Sequence, residues 1–404
     1  VAANQLLTIS KITREAVHRF VNSNALLGII NKQYDDQFNG TGAKIGDTVR
    51  IRYPVDYVVG DGATIVPQAT NEAQTTLTLS NQKNVPVSFT QADLTLKLDD
   101  FSERILKSAM NNLAGAVATT VIGVSEMASA AVANFDSNGN IIKPDAQTFL
   151  LAGAKLTTNS APKGDRYAVL DPMTQATAVA SLAGLFNPQI KLSEQYRTGM
   201  LSKDTLGLDF YEDQTIITHT AGTATTATVN GAGQTGNTLL INALSGTLNA
   251  GDIISIPGVY ALNRVTKQST GELQQFVLTA PAANGATSLS IYPAITPGNV
   301  QYGTVTASPA NNAPITPFLP AGGTFRKNLV FHESAMTVAS ADILLPKTGV
   351  IESAHSTYKG MSIAYVKGFD IVNYQEISRM DCIFGQTMVR PEWCCSVFAP
   401  IQVS

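Results

Sequence analysis

The sequence predicts an α+β fold interrupted by an all-β module. Three observations predict it. Residues 93–135 form a long proline-free stretch with helical spacing of apolar residues. Mixed α/β signals occupy 145–219 and return after Pro309. Between them, from Thr220, helix signal almost vanishes and short alternating runs (ATVN, TLLIN, DIISI, QQFVLT, TSLSIYP) are separated by Gly/Asn/Asp/Ser turns. A mixed domain that resumes after a β-module has had that module inserted into it.

The elements follow in order. In SKITREAVHRFVNSNALLGII, Ile12, Val17, Phe20, Val21 and Leu26 recur at helical spacing, which predicts one or two amphipathic helices with Ser10 as N-cap. Residues 46–89 alternate in GDTVRIRYPVDYVV and TTLTLSNQKNVPVSF around the turn-rich GDGATIVPQATNEAQ. This predicts a hairpin of two strands with a long loop, projecting rather than packing. Residues 99–134 predict one helix, on the order of 50 Å long at about 1.5 Å per residue. Asp99 and Asp100 suit its positive end, and Glu103 and Lys107 stand in the favoured i,i+4 order. Its small residues, among them Ala114, Gly115, Ala118 and Ala128, are expected to face closely packed sheet or backbone. Further helices are predicted at 145–157 and 174–185, with a buried strand in RYAVLDP between them and strands in 206–219. The β-module, read as 221–309, offers a core of Leu239, Ile253, Ile256, Val259, Phe276, Leu278, Leu289 and Ile291. Phe276 and Leu278 share one strand face there. After it, RKNLVFHESAMTVASADIL holds a strand and a short helix, and three strands close the chain.

Composition narrows the function. The 404 residues suggest two or three domains. Hydrophobic residues make up 44% but charged ones only 14%, where about 25% is usual. Much of the surface is therefore expected to be covered by other subunits. A net charge of −3 argues against a basic protein that coats nucleic acid. The chain shows no signal-peptide pattern and no apolar run long enough for a membrane span, so a soluble, cytosolically made protein is expected. Cys382, Cys394 and Cys395 make no disulfide framework, and Cys394 and Cys395 would point to opposite faces of a strand, at most one of them into a core.

No catalytic, cofactor or metal site is predicted. His18, His219, His332 and His355 lack ligand spacing, and His332-Glu333 lacks the second His of a metalloprotease helix. GAGQTG at 231–236 matches a dinucleotide fingerprint, but a strand rather than a helix follows, so it reads as a turn. Asp93 with Asp99 and Asp100 reads as helix-start chemistry rather than a carboxylate site. Arg50 and Arg52 share one strand face and read either as a solvated face or as intersubunit salt-bridge partners.

The order of elements resembles the Hong Kong 97-type fold of tailed-phage major capsid proteins. Two stretches narrow it: GDIISIPGVYALNRVTKQSTGELQQFVLT, with the run GD…I…GV…N at Gly251–Asn263, and MVRPEWCCSVF, with Arg390, Pro391 and Glu392. Both are similar to P22-type podophage coat proteins. The resemblance implies an N-arm (1–45), an E-loop hairpin (46–90), a P-domain spine helix (91–145) and a first A-domain part (146–220). It then implies an inserted barrel-like insertion domain (221–309), and a second A-domain part with closing P-domain strands (310–404). It implies no enzyme and no cofactor. The subunit would build pentamers and hexamers of an icosahedral shell, of triangulation number seven, with a scaffolding protein during assembly and a portal protein at one vertex. The shell would enclose double-stranded DNA without reading its sequence, without a membrane, after synthesis in the bacterial cytoplasm. Candidate intersubunit contacts are Arg50, Arg52, Asp61 and Glu72 on the hairpin. A surface-exposed β-rich binding or adhesion protein is the rival reading, which the predicted spine helix does not fit.

Overall fold

A computed structural model describes residues 9–32, 46–53, 56–60, 67–69, 72, 74–86, 106–182, 206–346, 348, 350–370 and 375–401. The chain divides into two compact units, one of residues 1–51, 74–124 and 336–389, the other of 52–73, 125–335 and 390–404.

In the first unit, α1 (Ile9–Asn22) buries Ile12, Ala16, Val17, Phe20 and Val21 along one stripe, as its spacing predicts. Ser10 lies inside this helix rather than at its cap. Asn24 caps α2 (Ala25–Ile29), accepting from the Leu27 N–H at 3.2 Å. The predicted hairpin is present as β1 (Thr48–Arg52) paired with β2 (Gln74–Thr78). The run NQKNVP does not extend it. A separate strand, β3 (Asn81–Pro86), leaves the hairpin and pairs antiparallel with β19 (Gln375–Met388). That strand also carries β16 (Met336–Ala341) and β18 (Met361–Asp370), with β17 (Val350–Tyr358) beyond. MTVASA is thus a strand, and the helix expected near it shrinks to one turn at Glu333–Ala335.

The predicted spine is the largest correction. Helix α3 (Lys107–Ile122) buries Met110, Leu113, Ala114, Val117, Ala118 and Val121, but stops at Gly123. A 3-10 turn (Gly123–Met127) follows, and AAVANF is strand β4 (Ala130–Phe135). Alanine's helix preference, at most about 1 kcal/mol per residue against any non-proline residue, is overridden by parallel pairing with β20 (Cys394–Pro400). Gly115 is only half-buried, and a Cβ there would meet nothing within 4 Å, so the expected close packing is absent at that residue. Asp93, Asp99, Asp100 and Glu103 lie outside the described residues.

The second unit holds a mixed sheet in the order β5-β4-β20-β15-β6-β7, with β8 also on β15. Here β5 is Ile141–Ile142, β6 Arg166–Leu170, β7 Asp209–Glu212, β8 Thr218–Thr220 and β15 Thr324–His332. Helices α4 (Ala146–Thr158) and α5 (Pro172–Leu182) complete this part. Asp145 closes a capping box on α4, and the Asp171 carboxylate accepts from the Met173 and Thr174 N–H groups where α5 begins. Phe149, Ala152 and Leu156 of α4 and Ala178 of α5 pack on Ala168, Leu170, Val330, Cys395 and Val397. The other face is covered too, so Cys394 and Cys395 are both buried, against the expectation of one. A central strand of a sheet covered on both sides hides both its faces.

What covers that face is a closed barrel. Strands β9 (Ala227–Thr228), β10 (Gly236–Leu240), β11 (Ile253–Leu262), β12 (Ser269–Leu278), β13 (Ser288–Ile295) and β14 (Pro314–Pro317) run in the order β10-β13-β12-β11-β14-β9. The ends join: the Asn230 N–H donates to the Leu240 carbonyl at 3.0 Å and the Asn242 N–H to the Thr228 carbonyl at 2.9 Å. Closure removes the exposed edges that would template aggregation. Ile315 of β14 is buried in the barrel core, so the sheet runs past the expected limit of 309. Leu239, Ile256, Val259, Phe276, Leu278, Leu289 and Ile291 line that core as predicted. Ile253 instead faces the mixed sheet with Val277, Leu319, Phe325 and Phe398, and Ile254 takes the inward place. The GAGQTG stretch is a turn, with Gly231, Gly233 and Gly236 at positive φ, and β10 rather than a helix begins there.

Candidate functional site

Two places gather the side chains that matter: the hairpin arm and the neck of the barrel. On the arm, strand alternation leaves Arg50 and Arg52 exposed on one face of β1 and buries Ile51 on the other. Arg52 Nη1 meets Glu72 Oε2 at 3.1 Å, both side chains largely in solvent. Two of the four predicted contact residues therefore find each other within one chain. Exposed pairs of this kind contribute about 0–1 kcal/mol, so the partnership is weak and open to exchange. Asp61 lies outside the described residues. The arm also touches its own chain. Gln68 Oε1 accepts from the Val58 N–H at 2.9 Å, and Gln301 Nε2 donates to the Ala69 carbonyl at 3.2 Å. That second bond is an exposed one between the arm and the segment after β13. At its base, within the first unit, the hairpin crosses β19 over Gly385. A Cβ there would lie 2.2 Å from the Thr78 carbonyl oxygen.

The neck is where the chain leaves the mixed sheet for the barrel and returns. The outgoing and returning segments bond directly, Ala221 N–H to the Gly323 carbonyl at 2.8 Å and Gly322 N–H to the Gly222 carbonyl at 2.9 Å. A Cβ on Gly222 would lie 2.2 Å from the Thr247 carbonyl oxygen, so only glycine fits. The Asp252 carboxylate gathers this crossing. Its Oδ1 lies 2.8 Å from His219 Nε2, and its Oδ2 accepts from the Gly222 N–H at 3.0 Å and the Asn249 N–H at 2.7 Å. His219 and Asp252 are both buried.

Beside them, Lys327 of β15 is fully buried. Its ammonium donates to the Glu126 carbonyl at 3.4 Å and stands 6.0 Å from the Phe398 ring. Burial pulls its pKa down to about 8. The Cys394 thiol is pushed up to about 12 by burial, which keeps it protonated and inert. Among the described residues no three His, Cys, Asp or Glu side chains converge as metal ligands. No described helix is long and apolar enough to cross a membrane. The arrangement positions segments.

Sequence reading missed His219, Asp252 and Lys327 because none stands in a catalytic spacing. The available signal was the Gly251-Asp252 pair opening a strand. Gly251 takes φ +87°, and its bare Cα lets the His219 ring approach.

A family model described as P22 coat protein, gene protein 5, matches residues 16–398. The chain belongs to the P22 coat protein family. This coat protein is the major capsid protein of a tailed phage: a structural, non-enzymatic subunit of a multimeric shell, located in the virion, with the α+β fold of the Hong Kong 97 type. Solved structures similar to the coat protein include a chain from Mycobacterium phage Che8, at 11% identity and TM-score 0.44, covering 93% of this chain and 90% of that one. The capsid of cyanophage P-SCSP1u is similar at 12% identity and TM-score 0.41, covering 90% and 86%. The CUS-3 coat protein I-domain is 25% identical with TM-score 0.19, covering 24% of this chain and 96% of that one. No curated protein matches the chain. Family membership does not favour the adhesion reading.

Proposed function

We propose that the coat protein assembles with a scaffolding protein into an icosahedral shell of pentamers and hexamers, at triangulation number seven. The shell encloses phage double-stranded DNA, carries a portal protein at one vertex, and is built from subunits made in the bacterial cytoplasm. The observation that carries this reading is the family match over residues 16–398. The closed barrel at 227–317 is its insertion domain, and the arm is its reach to a neighbour. Arg50, Arg52, Asp61 and Glu72 are the arm's intersubunit contacts. The exposed Arg52–Glu72 pair supports this, because a weak pair in solvent can be traded for a partner across a subunit boundary.

Electron microscopy of the purified protein, alone and co-expressed with a scaffolding protein, tests the reading. Closed shells of uniform size with the scaffold are expected, and discrete particles under both conditions reject it. A subunit lacking residues 63–71 is expected to stay soluble and assemble poorly. Shells of normal size and stability from that variant reject the arm's role alone.

A further inference from the structure

The barrel is held by more than its neck. Its strands β11, β12 and β13 lie side by side, and each, or the turn that ends it, is tied to the rest of the unit. Gln275 on β12 acts as a stand-in strand partner: its Oε1 accepts from the Ala131 N–H at 2.9 Å, and its Nε2 donates to the Ala131 carbonyl at 3.1 Å. Lys155 of α4 pairs with Glu272 of the same strand. The strands on either side converge on one carboxylate, Glu392.

Glu392 sits in the turn Pro391–Trp393 and is only 8% exposed. Oε1 lies 2.9 Å from Arg264 Nη1, just beyond β11, and 3.6 Å from Arg390 Nη1. Oε2 accepts from the Tyr292 hydroxyl of β13 at 3.0 Å. Burial and this carboxylate together push the Tyr292 pKa up, so its hydroxyl stays a donor. The turn itself is anchored on the body side. Asn159 Nδ2 donates to the Glu392 carbonyl at 2.9 Å, and Trp393 Nε1 donates to the Asn159 carbonyl at 3.1 Å. Arg390 stacks on the Trp393 ring at 4.5 Å. On the barrel side, Asn263 Oδ1 accepts from the Val265 and Thr266 N–H groups at 2.9 and 3.0 Å, which shapes the turn carrying Arg264. The two stretches that stand out in the sequence, 251–279 and 388–398, thus meet at this carboxylate.

We propose that Glu392 is a clamp that fixes the inserted barrel to the mixed sheet in one orientation, so that the two move as a single rigid body. Gripping β13 and the end of β11 from one point blocks rotation about β12, while Asp252 blocks swinging at the neck. The buried carboxylate has one guanidinium and a phenol at hydrogen-bond distance and a second guanidinium at ion-pair distance, and charge-assisted bonds of this type are the strong ones. Glu392 is a positioning residue, and its removal should loosen the seam without loosening the barrel.

Hydrogen–deuterium exchange on the full-length subunit tests this with Glu392→Gln, which keeps the shape and loses the charge. The amides of Ala131 and Gly222, which bond across the seam and the neck, are expected to exchange at least about tenfold faster, a change of about 1.4 kcal/mol. The amides of Asn230 and Asn242, which close the barrel, are expected to keep their wild-type rates. Unchanged rates at both sets overturn the proposal. Equal acceleration at both sets also overturns it, because Glu392 would then serve the barrel's own folding. Arg264→Gln, which leaves the Glu392 turn intact, is expected to give the same selective loosening, and an unchanged seam in that variant is equally fatal.

Discussion

The barrel and the mixed sheet bury different chemistry. The barrel's core cluster runs from Val229 and Leu239 to Phe276 and Ile315, and the buried Lys267 of that module sits in the turn between β11 and β12 rather than on a strand. The mixed sheet hides Lys327, Asn328, Arg166 and His219. Their origins explain the difference. Half of the neighbours in the barrel are consecutive strands, β11–β12, β12–β13 and the closing β9–β10, and turns set their register. The mixed sheet gathers strands starting near residues 130, 166, 218, 324 and 394. Such long-range pairings close large loops, and an all-apolar sheet could pair in several registers. Buried polar groups penalise the wrong ones. Asn328 Oδ1 accepts from the Asp171 N–H at 2.8 Å, and its Nδ2 donates to the Val397 carbonyl at 3.2 Å, pinning three segments at once. Arg166 donates to the Ala161 and Pro162 carbonyls and to Thr157, pinning β6 to the end of α4. Where local turns already choose the register, apolar packing suffices.

The largest expected effect lies in the barrel. Phe276 is fully buried, and Phe276→Ala should destabilise it by about 3–5 kcal/mol. An excised fragment of residues 221–317 should give a dispersed NMR spectrum, and the same fragment with Phe276→Ala a collapsed one. A collapsed spectrum from the unaltered fragment would break the comparison, because the barrel would then need the sheet as much as the sheet needs its pins.

Lys327 sharpens the other side. Taking a single charge out of water costs several kcal/mol, so Lys327→Met should raise the subunit's melting midpoint at pH 7. The pH dependence has a definite sign. The folded pKa is about 8 against 10.5 for the free side chain. Below pH 8 the lysine is protonated in both states and the burial penalty is fully present. Between about 8 and 10.5 the unfolded chain binds a proton that the folded chain lacks, so this group's contribution to stability improves as pH rises. Above pH 9 the buried Cys394, with its pKa raised from 9.0 to about 12, works in the opposite direction. The clean window is pH 8 to 9. There the advantage of Lys327→Met over the parent should shrink by about 1 kcal/mol. A constant advantage across that window would mean that Lys327 is not the group being relieved.

The same contrast explains what the sequence made legible. The barrel core is readable almost residue by residue, because alternation marks which residues of a strand share its inward face. Ile253 was misplaced because the barrel wall is two-faced at the seam, and alternation says which residues share a face but not which core that face meets. The run AAVANF has helical spacing but is a strand, because its pairing partner, 394–400, is far away in the chain and leaves no local trace. Cys394 and Cys395 were assigned one buried face because the covering of the second face is a tertiary fact. On the arm, Arg50 and Arg52 were placed correctly on one face. The Arg52–Glu72 pair across the loop, and the neck cluster of His219, Asp252 and Lys327, required the fold.

Asn328 gives a smaller effect than Phe276, and a more diagnostic one. Asn328→Leu keeps the branched shape at somewhat greater bulk and deletes the pins, leaving the Asp171 N–H and the Val397 carbonyl without that partner. An unsatisfied buried group costs about 1–3 kcal/mol. If Asn328 specifies register, the variant should also refold more slowly or with lower yield, beyond what its stability loss explains. Refolding kinetics in parallel with equilibrium denaturation separates the two. A loss of stability with unchanged refolding yield and rate would reduce Asn328 to an ordinary hydrogen-bonding residue.

Gly115 supplies the reference point against which these effects are judged. It lies in the middle of α3, half-buried, between Ala114, which is buried, and Ala116, which is exposed. A Cβ there meets nothing within 4 Å. No pairing, register or core depends on it, so only intrinsic propensity should act. Glycine in a helix interior is less favourable than leucine by somewhat under about 1 kcal/mol. Gly115→Leu should therefore raise the melting midpoint of the isolated subunit slightly, and its refolding should match the parent. A clear drop in the midpoint would show that this face of α3 packs closely after all. It would also show that small residues, and not only buried polar groups, carry the specification outside the barrel.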